Sequence, residues 1–139
     1  MVNLARVREN DLILDPFCGT GGILLEAQRM GIRTIGLDVV KKMCGGAKQN
    51  GVEEVVRCDS LKIPIKKSSA HAIVTDIPYG FSTHIPPNTL SHKLVSDLIS
   101  RKIYAVKRMV VMCKDSDLEK ISDAKVGCCL LYTSDAADD

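Results

Sequence analysis

The chain has 139 residues, 45% of them hydrophobic and 26% charged, with a formal net charge of +2. That length supports one domain with a single buried core and excludes two ordinary ones. No apolar run approaches the ~18–20 residues of a membrane-spanning helix, and the opening MVNLARVREN lacks the apolar centre of a secretory signal.

In chain order, LILD (12–15) is the first predicted strand, and the turn DPFCGTGG (15–22) follows it. GGILLEAQRMG predicts a helix with Ile23, Leu24, Ala27 and Met30 on one face and Gly31 as its stop. TIGLD predicts a second strand ending at Asp38. VVKKMCGGAKQNG predicts a second helix, with Val40, Met43, Cys44 and Ala47 together and an end at Asn50-Gly51. Its Gly45-Gly46 pair weakens it by roughly 1 kcal/mol per glycine relative to alanine. VVRCD and AIVTD predict strands ending at Asp59 and Asp76. A proline-rich loop, Ile77 to Pro87, leads to a helical pattern through Leu90, Leu94, Leu98 and Ile99. RMVVMC predicts a fifth strand and SDLEKISD a short last helix.

Strands alternating with helices at this spacing predict an α/β fold: a doubly wound, mainly parallel, Rossmann-like sheet built from right-handed crossovers. Ligands of such sheets bind outside the carboxyl edge, where the strand order reverses. Four apolar runs end in Asp15, Asp38, Asp59 and Asp76, so all four acids are expected to line one crevice. Aspartate is also a common turn-former and helix cap. Four in succession, the first followed by a glycine turn, favour a site.

Glycines after the first strand let the backbone approach a ligand, and the following helix offers free N–H groups. The dinucleotide pattern G-x-G-x-x-G fails, because Leu24 stands where its last glycine belongs, and no G-K-[ST] is present. The loop therefore suits a nucleotide-type ligand other than a pyrophosphate. Asp38, 17 residues beyond Gly21, can accept hydrogen bonds from both hydroxyls of an unmodified ribose. Asp59, with Ser60, stands where an adenine edge would lie, and an acid suits the exocyclic amine of adenine. Adenine, a ribose with two free hydroxyls and no phosphate describe S-adenosyl-L-methionine.

DPFCGTGGILLEA, GLD, RCDS and TDIPYG, in this order, resemble class I S-adenosylmethionine-dependent methyltransferases of nucleic acids. The closest resemblance is to the archaeal-type tRNA (guanine-10-N2)-methyltransferase family, over roughly residues 1–113. It implies that Asp15, Phe17, Cys18, Gly19, Thr20 and Gly21 surround the methionine part of the cofactor. Asp38 would hold the ribose, Asp59 and Ser60 the adenine, and Asp76, Ile77, Pro78 and Tyr79 the target amine. The amine of a nucleobase is a poor nucleophile, since its lone pair is delocalised into the ring. Asp76 can accept one N–H and stabilise the positive charge that develops, while a carbonyl of Ile77 or Pro78 accepts the other. Pro78 limits φ, and Tyr79 offers a stacking face worth roughly 1–3 kcal/mol. The family pattern is D-P-P-Y; here Ile77 replaces the first proline.

The resemblance also implies an N-terminal RNA-binding THUMP region that this chain lacks, so a catalytic domain truncated at both ends is expected, with tRNA as substrate. The alternatives are another amino-group methyltransferase, acting on adenine N6 or a protein amide, and a non-catalytic fragment binding cofactor or RNA. Six cysteines without C-x-x-C or paired-histidine spacing argue against zinc and for a reducing cytoplasm. His71, His84 and His92 have no metal-like spacing. Lys66-Lys67 and Arg101-Lys102 read as solvated surface that could meet phosphates. The final VGCCLLYTSDAADD shows neither strand alternation nor a helix stripe, and resembles translated sequencing-adapter DNA. The methyltransferase unit is therefore placed at 1–127, without its last strand pair, and residues 128–139 are expected to be non-native or disordered. Those twelve residues hold three acids and no base; the rest carries 19 basic against 14 acidic residues, a mildly basic body that could face a polyanion.

Overall fold

The computed structural model describes residues 1–60, 62–66, 68–77, 93, 96, 97, 106 and 108–113, and the backbone of 128–132. A short 3-10 turn, Val2–Ala5, leads into strand β1 (Leu12–Asp15). There follow α1 (Gly22–Arg29), β2 (Arg33–Asp38), α2 (Lys41–Gln49), β3 (Val55–Arg57), β4 (Ala72–Asp76), β5 (Arg108–Cys113) and β6 (Cys128–Tyr132). The strands form one sheet in the order β3-β2-β1-β4-β5-β6, and every neighbouring pair is parallel. The chain moves outward from β1 through β2 to β3, then returns to the other side of β1 at β4. The expected doubly wound α/β sheet is therefore present, with its order reversing between β1 and β4.

Alternate residues of a strand face opposite sides, yet here both sides are apolar. Ile13, Ala72, Val74 and Val110 pack with Leu24 and Ala27 of α1 and Ala47 of α2. Leu12, Leu14, Ile73, Met109 and Val111 form the opposite layer with Ile77. Full burial of a Val, Leu or Ile contributes roughly 1.5–3 kcal/mol. A parallel sheet covered on both faces makes its strands unbroken apolar runs, as in LILD and AIVTD. β3 differs: it lies at the sheet edge, only Val55 of it is buried, and it stops at Arg57 rather than reaching Asp59.

Helices of eight and nine residues are too short to persist alone; their buried faces hold them. Both end in the same hydrogen-bond motif. Gly31 donates to the Gln28 carbonyl at 3.0 Å and Ile32 to Ala27 at 3.1 Å. Gly51 donates to Lys48 at 3.1 Å and Val52 to Ala47 at 3.0 Å. These paired bonds need a left-handed residue after the cap, supplied by Gly31 at φ 71° and Gly51 at φ 100°. Met30, expected on the buried face, is 43% exposed, because α1 has already ended and Met30 caps it.

Within the tail expected to be non-native or disordered, Cys128–Tyr132 forms β6, which pairs in parallel with β5 from Met109↔Cys128 to Cys113↔Tyr132. The outer edge of β5 presents a row of backbone donors and acceptors, a template on which a short apolar segment can pair. The predicted helices over residues 90–99 and 116–123 lie outside the described residues, apart from isolated positions of the first.

Candidate functional site

Asp15, Asp38 and Asp76 are the last residues of β1, β2 and β4. The strands are parallel, so these carboxyl groups occur at one edge of the sheet. Alternation puts Asp38 on the face of Gly36 and Asp76 on that of Val74, while the Asp15 carboxyl at the end of β1 reaches the Thr75 hydroxyl. Ile13 and Val74 belong to the layer under α1 and α2, and a side chain at Gly36 would meet Leu24 of α1. Three of the four expected acids thus converge on one rim. Asp59 lies two residues beyond β3, exposed on the outer flank. The chain reaches it beside Asp38, whose backbone carbonyl accepts the Cys58 N–H at 3.0 Å. Ser60 is 7% exposed.

The loop after β1 is tied to this rim atom by atom. Phe17 N–H donates to Asp15 Oδ1 at 3.0 Å, and Cys18 N–H to the Leu37 carbonyl at 2.8 Å. Gly19 N–H donates to Asp38 Oδ2 at 3.0 Å, and Gly21 N–H to the Cys18 carbonyl at 2.8 Å. Asn50 at the end of α2 donates from Nδ2 to the Thr20 carbonyl at 3.0 Å. Gly21, at φ 89°, leaves no room for a Cβ beside Val52. A phosphate cradle aims its N–H groups at the ligand. Here the N–H groups of Phe17, Cys18, Gly19 and Gly21 are engaged within the protein, which suits a ligand without a pyrophosphate.

Asp38 accepts a second bond, from Val40 N–H to Oδ1 at 2.8 Å. Each of its oxygens then holds one backbone donor, and a carboxylate has about four acceptor positions. Capacity for two hydroxyl donors remains, and the residues present fit an unmodified ribose. Asp15 is 1% exposed. Burial raises its carboxyl from the usual range to about 7, against the lowering effect of the Thr75 and Phe17 hydrogen bonds, while Asp76 and Asp38 raise it further. Mutual repulsion among these three charges accompanies their convergence. Burial, then Asp15 and Asp38, also push the Cys18 thiol up, so Cys18 is a protonated, mostly apolar wall.

On the target side, Ile77 continues the pairing of β4 with β5: its N–H donates to the Met112 carbonyl at 3.0 Å. Its side chain is fully buried in the layer of Leu12, Leu14 and Ile73. A proline at this position could not make that bond. The departure from D-P-P-Y therefore replaces ring rigidity with a ladder bond and a buried anchor. Pro78 and Tyr79 lie outside the described residues, as do Phe81, His84 and His92.

Two residues of the rim escape sequence reasoning. Thr75 is fully buried and donates from Oγ1 to Asp15 Oδ1 at 2.6 Å. Its signal was a hydroxyl inside an apolar run, since a buried hydroxyl needs a partner. Val39, directly after Asp38, is 60% exposed, and its carbonyl accepts from Arg57 Nε at 3.1 Å. A large apolar side chain left open beside the ribose candidate offers a flat ligand a surface. Among the described residues, no group of three or more His, Cys, Asp or Glu could hold a metal.

A doubly wound parallel sheet, a glycine loop after β1 and an acid ending β2 define a Rossmann-like domain with its crevice at the β1/β4 reversal. The chain belongs to the family of RMKL-like methyltransferase domains, whose model matches residues 1–127. It is 48% identical over 88 residues to the tRNA (guanine(10)-N2)-dimethyltransferase of Methanothermobacter thermautotrophicus, over 59% of this chain and 26% of that one. It is 43% identical over 96 residues to the enzyme of the same description from Methanocaldococcus jannaschii, over 60% and 27%. The chain thus spans about a quarter of the length of these curated relatives. In fold it is similar to the YcgJ protein from Bacillus subtilis, with a TM-score of 0.59 at 19% identity, covering 85% of this chain and 51% of that one.

Proposed function

We propose that this chain is the catalytic part of an enzyme that transfers a methyl group from S-adenosyl-L-methionine to the exocyclic N2 amine of a guanine in tRNA. The observation that carries the reading is the placement of Asp76 on the same rim as Asp15 and Asp38. Family membership and the similarity to enzymes described as tRNA (guanine(10)-N2)-dimethyltransferases support the substrate.

When bound, the sulfonium donor supplies an electrophilic methyl group, and the electrons of its C–S bond leave with sulfur. Asp38 would hold the ribose hydroxyls, Val39 would cover one face of the adenine, and Asp59 with Ser60 would meet its edge. Asp15, Phe17, Cys18, Gly19, Thr20 and Gly21 shape the wall along the methionine part; Asp15 does so from beneath, through Phe17 and Thr75. Asp76 accepts one N–H of the guanine amine and stabilises the charge that develops on nitrogen, and the surplus proton then leaves the methylated nitrogen to Asp76 or to solvent. A carbonyl of Ile77 or Pro78 accepts the other N–H, and Tyr79 stacks on the extruded base. The two acceptors turn the nitrogen lone pair toward the methyl group, an alignment worth several kcal/mol, with a ceiling of roughly 7–11 kcal/mol for such effects.

The methyltransferase unit is residues 1–127, the span of the family match. In a longer parent protein, a THUMP region would grip the tRNA. The free Cys18, Cys44 and Cys58 suit a reducing cytoplasm.

The reading is tested by mass spectrometry of nucleosides from tRNA incubated with stoichiometric protein and S-adenosylmethionine. N2-methylguanosine is expected, and its loss in Asp76→Ala. N6-methyladenosine as the only product, or product unaffected by Asp76→Ala, would refute the assignment.

A further inference from the structure

The opposite edge of the sheet holds a second concave site. It encloses about 370 Å³ and is lined by Arg6, Arg8, Asp11, His71 and Arg108, among others. Asp11 and His71 immediately precede β1 and β4, and Arg108 begins β5. The cleft therefore lies at the amino ends of three adjacent strands, away from the aspartate rim.

Its wall is fixed by a small network. Leu12 N–H donates to His71 Nδ1 at 3.0 Å, so the ring proton is on Nε2, which lies 3.3 Å from Asp11 Oδ1. Asp11 Oδ2 accepts the Arg8 N–H at 2.8 Å. His71 is thus a neutral donor, and both oxygens of Asp11 have partners. Arg6 and Arg8 are exposed, while Val7 between them packs toward the core. Arg6 itself stands at φ 47° as the cap of the 3-10 turn, which fixes the local course of the chain. Among the described residues the guanidinium groups of Arg6, Arg8 and Arg108 make no ion pair. Three cations against one carboxylate leave the cleft positive.

We propose that this cleft takes a backbone phosphate of the RNA whose target base enters at the opposite edge, an inference that rests on the methyl-transfer reading. Guanidinium groups match phosphate oxygens in bidentate geometry, and backbone phosphates supply sequence-independent affinity and orientation. A strand of five residues spans about 17 Å. The two edges are therefore far enough apart to be reached by different nucleotides of one folded RNA. The contact positions the substrate and takes no part in the chemistry.

The test is fluorescence anisotropy with a fluorescein-labelled RNA hairpin across a KCl series. The variants are Arg6→Gln/Arg8→Gln/Arg108→Gln, and a control with equal charge loss on other exposed surfaces, Arg29→Gln/Lys42→Gln/Lys48→Gln. The cleft variant is expected to bind at least tenfold more weakly, with a salt slope smaller by about 0.7–0.9 per phosphate contact. The control is expected to lose less than threefold. Equal losses in both variants, an unchanged cleft variant, or no RNA binding by the parent chain would each overturn the proposal. Thermal melts check folding. If the triple variant does not fold, exposed Arg8→Gln alone carries the test, with a threefold loss expected. S-adenosylmethionine binding by the same variants is expected to be unchanged, and its absence would count separately, against the methyl-transfer reading.

Discussion

Asp15 joins the loop to the core, and its charge is the costly part of that role. Its carboxyl is raised to about 7 by burial, so between about pH 4 and 7 the folded chain binds a proton that the unfolded chain has released. Its contribution to stability is therefore lost as pH rises through that window, by at most roughly 4 kcal/mol. Asp15→Asn keeps an acceptor for Phe17 and Thr75 and removes the charge. Denaturant melts at pH 4.5 and 7.5 are expected to show a smaller loss of stability with rising pH in this variant; the same loss as in the parent would argue against a buried charge. Thr75→Val removes the hydroxyl bond and leaves Asp15 with one fewer donor, a loss of about 1–3 kcal/mol by urea unfolding. Sequence reasoning marked Asp15 as a ligand wall but did not find this role, because hydroxyl and carboxylate are 60 residues apart and meet only when β1 and β4 pair.

Among the elements, α1 and α2 were legible from apolar spacing and their terminal glycines, since both signals are local. α2 nonetheless carries Gly45, where an added Cβ meets nothing within 4 Å. Gly45→Ala is expected to stabilise the chain by about 0.5–1 kcal/mol, a rise of roughly 2–5 °C in Tm; no rise would mean that the open space is needed. Gly21 behaves oppositely. Gly21→Ala places a methyl on Val52 in a left-handed conformation, with an expected loss of roughly 2–4 kcal/mol that unfolding experiments would register. The end of β3 was misjudged because an apolar run alone does not report whether a strand is central or at the edge. The Ile77 ladder bond was likewise hidden, since it depends on where β5 lies.

Across the whole molecule, the crossover topology follows from the alternation of strands and helices, and it brings three distant acids, Asp15, Asp38 and Asp76, to one edge, with Asp59 on the outer flank. The positive cleft was not legible, because Arg6, Arg8 and Arg108 converge only once β5 stands two places from β1. β6 lies beyond β5, separated from every strand that carries a rim aspartate. Deleting residues 128–139 is therefore expected to leave affinity for S-adenosylmethionine within twofold. The most direct measurement of the central claim is calorimetric titration of the chain with S-adenosylmethionine at pH 7, alongside Asp38→Ala and Asp76→Ala. Binding by the parent is expected, weakened at least tenfold by Asp38→Ala and essentially unchanged by Asp76→Ala. No heat from folded parent protein, or equal binding by the Asp38 variant, would contradict the account.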